Sequence, residues 1–257
     1  MDHASARKLI ALNTTFYQQH AASFSATRQA PWTGWNRMLP LLHDRFGDEP
    51  ETLSALDLAC GNMRLASYLH GCFPRTTITY HATDNCDAFD TQAPRELPRC
   101  SLQFQKFDVL SALLEQQEGE QHRITSAPCE LVCSFGFLHH VPSFELRAEV
   151  LRMLLAHLAP HGIAVVSFWQ FMNDARLAGK ARSVTAQAHI AHHDIADILE
   201  ESDWLLGWQN DPSALRYCHH TNDEEIDRLL HAAGARELTR FSADGASGTL
   251  NRYVVLE

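Results

Sequence analysis

This sequence predicts an α/β chain built on a parallel, doubly wound sheet, and three observations carry that reading. From about residue 50 onward, short β-rich runs alternate with amphipathic helical stretches. The first run passes through a turn of small residues straight into a helical pattern. Three successive runs end on an aspartate: Asp57, Asp84 and Asp108. Strand–helix alternation is how parallel strands are connected. Open sheets of that type take ligands at the carboxyl ends of the strands, near the switch in strand order.

Residues 1–44 precede the first strand and read as a helical lid. Ala6 to His20 places Leu9, Ile10, Leu12, Phe16 and Tyr17 largely on one side of a helix. A second helix runs through Met38, Leu39, Leu41 and Leu42. Between them lies Phe24-Ser-Ala-Thr-Arg28-Gln-Ala-Pro31-Trp32-Thr-Gly-Trp35. Two readings are open for this segment. Its aromatics pack it on the sheet, since such residues dominate core energetics. Alternatively it closes over a cofactor through Tyr17 and Arg28, with the guanidinium near a carboxylate.

The first strand, Leu53 to Leu58, runs through Ala59-Cys60-Gly61-Asn62 into the helical stretch Arg64–His70. Small residues at such a turn let a nucleotide-like ligand approach backbone N–H groups. Thr77–Thr83 follows and ends at Asp84-Asn85; Leu102–Phe107 ends at Asp108-Val109. Glu130–Ser134 is a short apolar strand running into Phe135-Gly136. Glu145–Leu158, carrying Leu146, Val150, Leu151, Leu154 and Leu155, is amphipathic at helical spacing. Pro160-His-Gly162 then leads into the most hydrophobic strand, Ile163–Trp169.

From about 170 to 221 the chain carries a long insertion. Phe171 to Ala191 and His192 to Glu201 are helix-compatible, and Asp203–Trp208 leads on to Arg216-Tyr217-Cys218-His219-His220. Connections this long are frequently functional. Thr221-Asn-Asp-Glu224 has the form of a capping box for a helix ending near Gly234.

The 257 residues, 45% of them hydrophobic, fit one α/β domain with additions, or at most two small domains. A formal charge of −10 and the lack of any Lys/Arg-rich block argue against a protein that coats nucleic-acid duplexes. Seven cysteines without paired spacing indicate reduced thiols. The start Met1-Asp-His-Ala-Ser resembles no targeting peptide, and no apolar run reaches membrane-spanning length, so a cytoplasmic protein is expected. Sixteen histidines raise the question of a metal. His189, His192 and His193 have i, i+3, i+4 spacing but no H-E-x-x-H context, so no metal site is assigned.

Any one of the three strand-end aspartates suits a helix cap or a turn. Together on one sheet edge they suit a ligand with an amino group, a ribose diol and an adenine amine. Asp57-x-Ala59-x-Gly61-x-Met63 resembles the D/E-x-G-x-G-x-G motif of the class I S-adenosylmethionine (SAM) methyltransferases. Ala59 and Met63 stand where that pattern has glycine, and Met63 is expected to make the turn less open. Leu131–Pro142, with Leu138-His139-His140, resembles the fourth-strand motif of the same family; Leu158-Ala-Pro-His-Gly162 resembles the turn before its fifth strand. The runs 235–241 and 251–256 look like its final antiparallel pair.

This resemblance covers about residues 50–257. It implies a Rossmann-like, seven-stranded sheet over residues 45–257 and SAM as cofactor. Asp57, Ala59, Cys60 and Gly61 would surround the methionine portion, Asp84 with Asn85 the ribose, and Asp108 with Val109 the adenine. Ser134 and Phe135 would line the sulfonium side, with Tyr17 and Arg28 closing from the lid. The Phe24-Ser-x-Thr-Arg28…Pro31-Trp32 and Arg216-Tyr-Cys-His219 segments are similar to the tRNA wobble-uridine carboxymethyl methyltransferases. Cys218 departs from that subgroup's second tyrosine.

The expected activity is methyl transfer to a small or nucleotide-sized polar acceptor. His139, His140, Arg216, Tyr217 and His219 are the catalytic candidates, Arg216 for an anionic acceptor. The alternatives are methyl-ester formation on tRNA, or SAM binding without transfer.

Overall fold

The computed structural model describes residues 1–86, 88, 97–115, 123–209 and 211–257. Its framework is a seven-stranded sheet in the order β3-β2-β1-β4-β5-β9-β8. The strands are β1 (Thr52–Leu58), β2 (Thr77–Asp84), β3 (Cys100–Lys106), β4 (Cys129–Ser134), β5 (Leu158–Trp169), β8 (Glu237–Ala243) and β9 (Asn251–Leu256). The first five are parallel, and β9 runs antiparallel to both β5 and β8. Strand order reverses at β1, which lies between β2 and β4, and there a crevice opens.

Side-chain alternation sorts the apolar residues onto two covered faces, as a parallel sheet requires. Leu56, Leu58, Val132, Ala164, Val166, Val254 and Leu256 form one layer. That layer packs under α4 (Val109–Glu115), α5 (Phe144–Ala156) and α8 (Asp223–Ala233). Leu53, Ala55, Leu131, Cys133, Ile163, Val165, Tyr253 and Val255 face the other way. They meet Trp35, Met38 and Leu42 of α2 (Thr33–Phe46) and Leu65 and Leu69 of α3 (Arg64–Cys72).

Several sequence expectations shift. The N-terminal helix α1 spans His3–Ala26, longer than Ala6–His20, because the Asp2 carboxylate caps the Ser5 N–H at 2.8 Å. Helix α5 ends at Ala156 and β5 begins at Leu158, so the expected turn is part of the strand. His161 there has φ +64°, and a Cβ on Gly162 would lie 2.9 Å from the carbonyl oxygens of Ala159 and Cys129. Only a glycine fits that close backbone approach. Helix α8 is capped by Asn222, whose side chain accepts from Glu225 N at 2.8 Å, not by a Thr221–Glu224 box. Gly234, in the left-handed region, closes it as expected.

The insertion differs most. Helix α6 (Ala175–Ala191) ends one residue before His192, and α7 is a short turn, His193–Ala196. The helical i, i+3, i+4 alignment of His189, His192 and His193 is therefore broken; all three are exposed, and His189 faces Asp197 at 3.5 Å. Beyond it, β6 (Asp203–Trp208) and β7 (Asp211–His219) form a separate antiparallel pair. Leu205 and Tyr217 pack with Leu9 and Ala188, while Leu206 and Cys218 pack with Phe171 and Ala181. Among the described residues no helix is long and apolar enough to cross a membrane.

Candidate active site

The turn after β1 keeps the backbone form of a glycine motif without its glycines. Ala59, Gly61 and Met63 all have positive φ, at 58°, 54° and 54°. Each sits at a position where the family pattern has glycine. An L-residue in the left-handed region costs about 1 kcal/mol or more. For Met63, a fully buried side chain packed in the core offsets that cost. The expectation that Met63 disturbs the turn is thus corrected: its side chain leaves the cavity, and its backbone adopts the glycine conformation.

The three strand-end aspartates meet at one cavity of about 730 Å³. Asp57 is buried and accepts a short hydrogen bond from the Tyr80 hydroxyl. Burial pushes its carboxyl up to about 7, against the pull of that hydrogen bond. Asp84 accepts Gly61 N and Cys86 N, each at 2.9 Å, which ties the β2 end to the turn after β1. Burial pushes it up to about 6, against those backbone hydrogen bonds. Asp108 caps α4 by accepting Ser111 N at 3.0 Å and also lines the cavity. Asn85 reaches Asp108 and Thr14 at 3.5 Å, and Ala59, Cys60, Gly61 and Val109 line the same cavity.

The N-terminal segment covers this rim. Asn62 Nδ2 donates to Ser25 Oγ and to the Arg28 carbonyl, each at 3.0 Å, anchoring the segment to the turn. The Arg28 guanidinium lies 3.5 Å from the centre of the Phe24 ring, and burial lowers its pKa to about 10. Both tryptophans line the cavity: Trp35 is buried in the core beneath it, and Trp32 closes on Gly136, where a Cβ would meet its ring at 2.9 Å.

On the β4 side, Leu138–His140 forms one 3-10 turn that holds both histidines in the wall. His140 Nδ1 lies 2.9 Å from the Tyr217 carbonyl and Nε2 lies 2.7 Å from the Tyr17 hydroxyl. A neutral ring with its proton on Nδ1 satisfies both contacts, with Tyr17 as donor. Burial, and then Arg216, push His140 down to about 3, and burial pushes the Tyr17 phenol up to about 12. His139 stacks near Trp169 at 4.8 Å and is likewise held neutral, first by burial and then by His140. Phe135 lines the cavity, with its ring centre 5.8 Å from that of Trp35.

Three expected site residues lie elsewhere. Ser134 is buried and donates to the Leu58 carbonyl at 3.2 Å, knitting β4 to β1. Tyr217 and His219 do not line the cavity. The Tyr217 hydroxyl donates to Asp203 at 2.7 Å; His219 bridges Asp203 at 2.7 Å and Glu225 at 2.8 Å. Arg147 completes this buried network by donating to Glu225 at 2.9 Å. Alternation along β7 is the reason: Arg216 points into the cavity, so its neighbours at 217 and 219 point away.

Asn13, Asn62, Trp169 and Trp208 also line the cavity without having been picked out as site residues. Asn13 donates to the Tyr217 carbonyl at 3.1 Å and accepts Tyr217 N at 2.8 Å, clamping α1 onto β7. A lone asparagine on a helix gives no sequence signal for such a long-range pairing. Ligand atoms of His139, His140 and Cys218 come within 4.8 Å of one another. Both His140 nitrogens are already engaged and the Arg216 cation is close, so this trio is a poor fit for a metal ion.

Among solved structures, the chain is similar to a 1,6-didemethyltoxoflavin-N1-methyltransferase of Burkholderia thailandensis (15% identity, TM-score 0.60, covering 98% of this chain and 89% of that one). It is also similar to a S-adenosylmethionine-dependent methyltransferase of Clostridium acetobutylicum (10%, TM-score 0.58, 95% and 98%). A third, a SAM-dependent methyltransferase of Methanosarcina mazei, matches at 14% identity and TM-score 0.56, covering 84% of this chain and 96% of that one. At these identities the likeness establishes the fold. No curated protein matches the chain. A family model described as a methyltransferase domain matches residues 27–239, most of the chain, and the chain belongs to that family of methyltransferase enzymes.

Proposed function

We propose that this enzyme transfers the methyl group of SAM to a small or nucleotide-sized polar acceptor inside the cavity. The observation that carries the reading is the meeting of Asp57, Asp84 and Asp108 with the left-handed turn at the point of strand reversal. Two of these carboxyls are buried and pushed up by burial, so a ligand bearing amino and hydroxyl groups is what would compensate them. That chemistry fits SAM.

The turn at residues 59–61 and Asp57 would hold the amino-acid end, Asp84 with Asn85 the ribose, and Asp108 with Val109 the adenine. Arg28, tied to the turn through Asn62, would pair with the cofactor carboxylate. A sulfonium supplies an already activated methyl group. The chain's part is alignment and exclusion of water. Residues 1–44 act as the cover, with Tyr17 held by His140. The two histidines of the wall are neutral, so they leave a cationic donor unrepelled.

Isothermal titration with SAM and S-adenosylhomocysteine tests the donor site; Asp84→Ala should weaken both several-fold or more, and unchanged affinity removes Asp84 from the site. Methyl release from labelled SAM into a metabolite extract, compared with bulk tRNA, tests the acceptor. Labelling of tRNA alone would overturn the small-acceptor reading in favour of a wobble-uridine methyl ester.

A further inference from the structure

We infer that the methyl acceptor is an anion, gripped through an oxyanion by Arg216 inside a cage of aromatic rings. This rests on the cavity being the methyl-transfer site. Arg216 is 8% exposed, lines the cavity, and pairs with no carboxylate among the described residues. Its Nε is buried without a hydrogen-bond partner. The guanidinium carbon lies 5.4 Å from the Phe16 ring, 5.7 Å from that of Trp169 and 5.4 Å from that of Trp208. Rings stabilise a desolvated cation only in part. A buried charge is otherwise matched by an opposite charge. The guanidinium fork fits a planar carboxylate or a phosphate.

The position of Arg216 assigns it to the acceptor and not the donor. The aspartates and the turn sit at the ends of β1, β2 and β3. Arg216 sits across the reversal point, among Trp169 at the end of β5 and the histidines that follow β4. Two other cations line the cavity without a salt-bridged carboxylate among the described residues: Arg64, at the turn after β1, donates to the Ala30 carbonyl at 2.8 Å, and Arg28, whose backbone carbonyl is held by Asn62, lies over the Phe24 ring and 5.9 Å from that of Trp208. The cavity therefore carries three cations, and Arg216 is the one set against Trp169 at the end of β5. Arg28 serves the carboxylate of the donor, Arg64 ties the turn to the N-terminal segment through Ala30, and Arg216 is left for the acceptor.

The test uses 4-fluorobenzoate, its neutral isostere 4-fluorobenzamide, and 4-fluorophenyl phosphate, followed by fluorine NMR on the full chain with and without S-adenosylhomocysteine. The wild type should bind one or both anions at least tenfold tighter than the amide; whichever is tighter names the oxyanion. Arg216→Met should abolish that preference while S-adenosylhomocysteine affinity stays within twofold. Its melting temperature should match or exceed the wild type, because an uncompensated charge leaves the interior. Equal binding of anion and amide by the wild type, a preference that survives Arg216→Met, or a melting temperature lowered by the substitution would each overturn the inference. Should the Met variant not fold, Arg216→Gln, which keeps hydrogen bonding without the charge, gives the same reading. If S-adenosylhomocysteine does not bind at all, the donor site is refuted, while the measurement without it still reports on Arg216.

Discussion

Two ends of one short stretch of β7 have opposite electrostatics. His219 lies between Asp203 and Glu225, and Glu225 is shared with Arg147, so every charge in that network has a partner. Arg216, three residues earlier, is also buried, lies among aromatic rings and has no carboxylate partner among the described residues. The first arrangement satisfies the fold, joining α5, α8 and the β6–β7 pair. The second leaves charge available to something outside the chain. Burial alone does not distinguish a functional cation from a structural one; the presence or lack of a counter-charge does.

The largest effect should come from breaking the compensated end. Glu225→Ala would leave His219 and Arg147 without their shared carboxylate, and denaturant unfolding should show a loss of about 3–5 kcal/mol. Against the outcome expected for Arg216→Met, this sharpens the contrast; similar losses at both sites would erase it.

Next comes Asn13→Ala. It removes both hydrogen bonds to the Tyr217 backbone and leaves buried groups unsatisfied, so about 2 kcal/mol should be lost in the same assay. The link between α1 and β7 would loosen, and cofactor affinity should fall with it.

A smaller effect concerns the donor rim. Asp57 and Asp84, pushed up to about 7 and about 6, are largely protonated near pH 5.5 and ionised by pH 7.5. A cationic ligand favours the ionised form, so SAM affinity should rise roughly tenfold over that interval, measured by titration at each pH. Ligand-free stability should move the opposite way. Each group keeps its proton in the folded chain above its unfolded value of 3.8, so their contribution to stability falls as pH rises from about 4 to about 7. A flat affinity profile would show that neither carboxylate meets positive charge.

The smallest change is Ala59→Gly. Relief of the left-handed strain, about 1 kcal/mol, is nearly cancelled by the unfolded-state entropy of glycine. Thermal unfolding should shift by no more than about 1 kcal/mol, whereas Met63→Gly should cost about 2 kcal/mol or more through lost core packing.

The succession of strands and helices and the row of strand-end aspartates were legible in the sequence, because alternation and strand–helix spacing are local patterns. Asp57, Asp84 and Asp108 sit where parallel strands end. The motif turn was legible despite Ala59 and Met63, since Gly61 and the flanking aspartate hold its spacing. What only the tertiary structure decided is the β6–β7 pair and everything it orients. Its residues read equally well as an insertion of mixed helix and loop, because a two-stranded ribbon is stabilised by what covers it and not by its own pattern. Its register sends Arg216 inward and Tyr217 and His219 away, and a strand's side-chain direction depends on which face is covered. Counter-charges from Asp203, Glu225 and Arg147 reach His219 from distant parts of the chain. Partnerships across such separations leave no mark on local sequence.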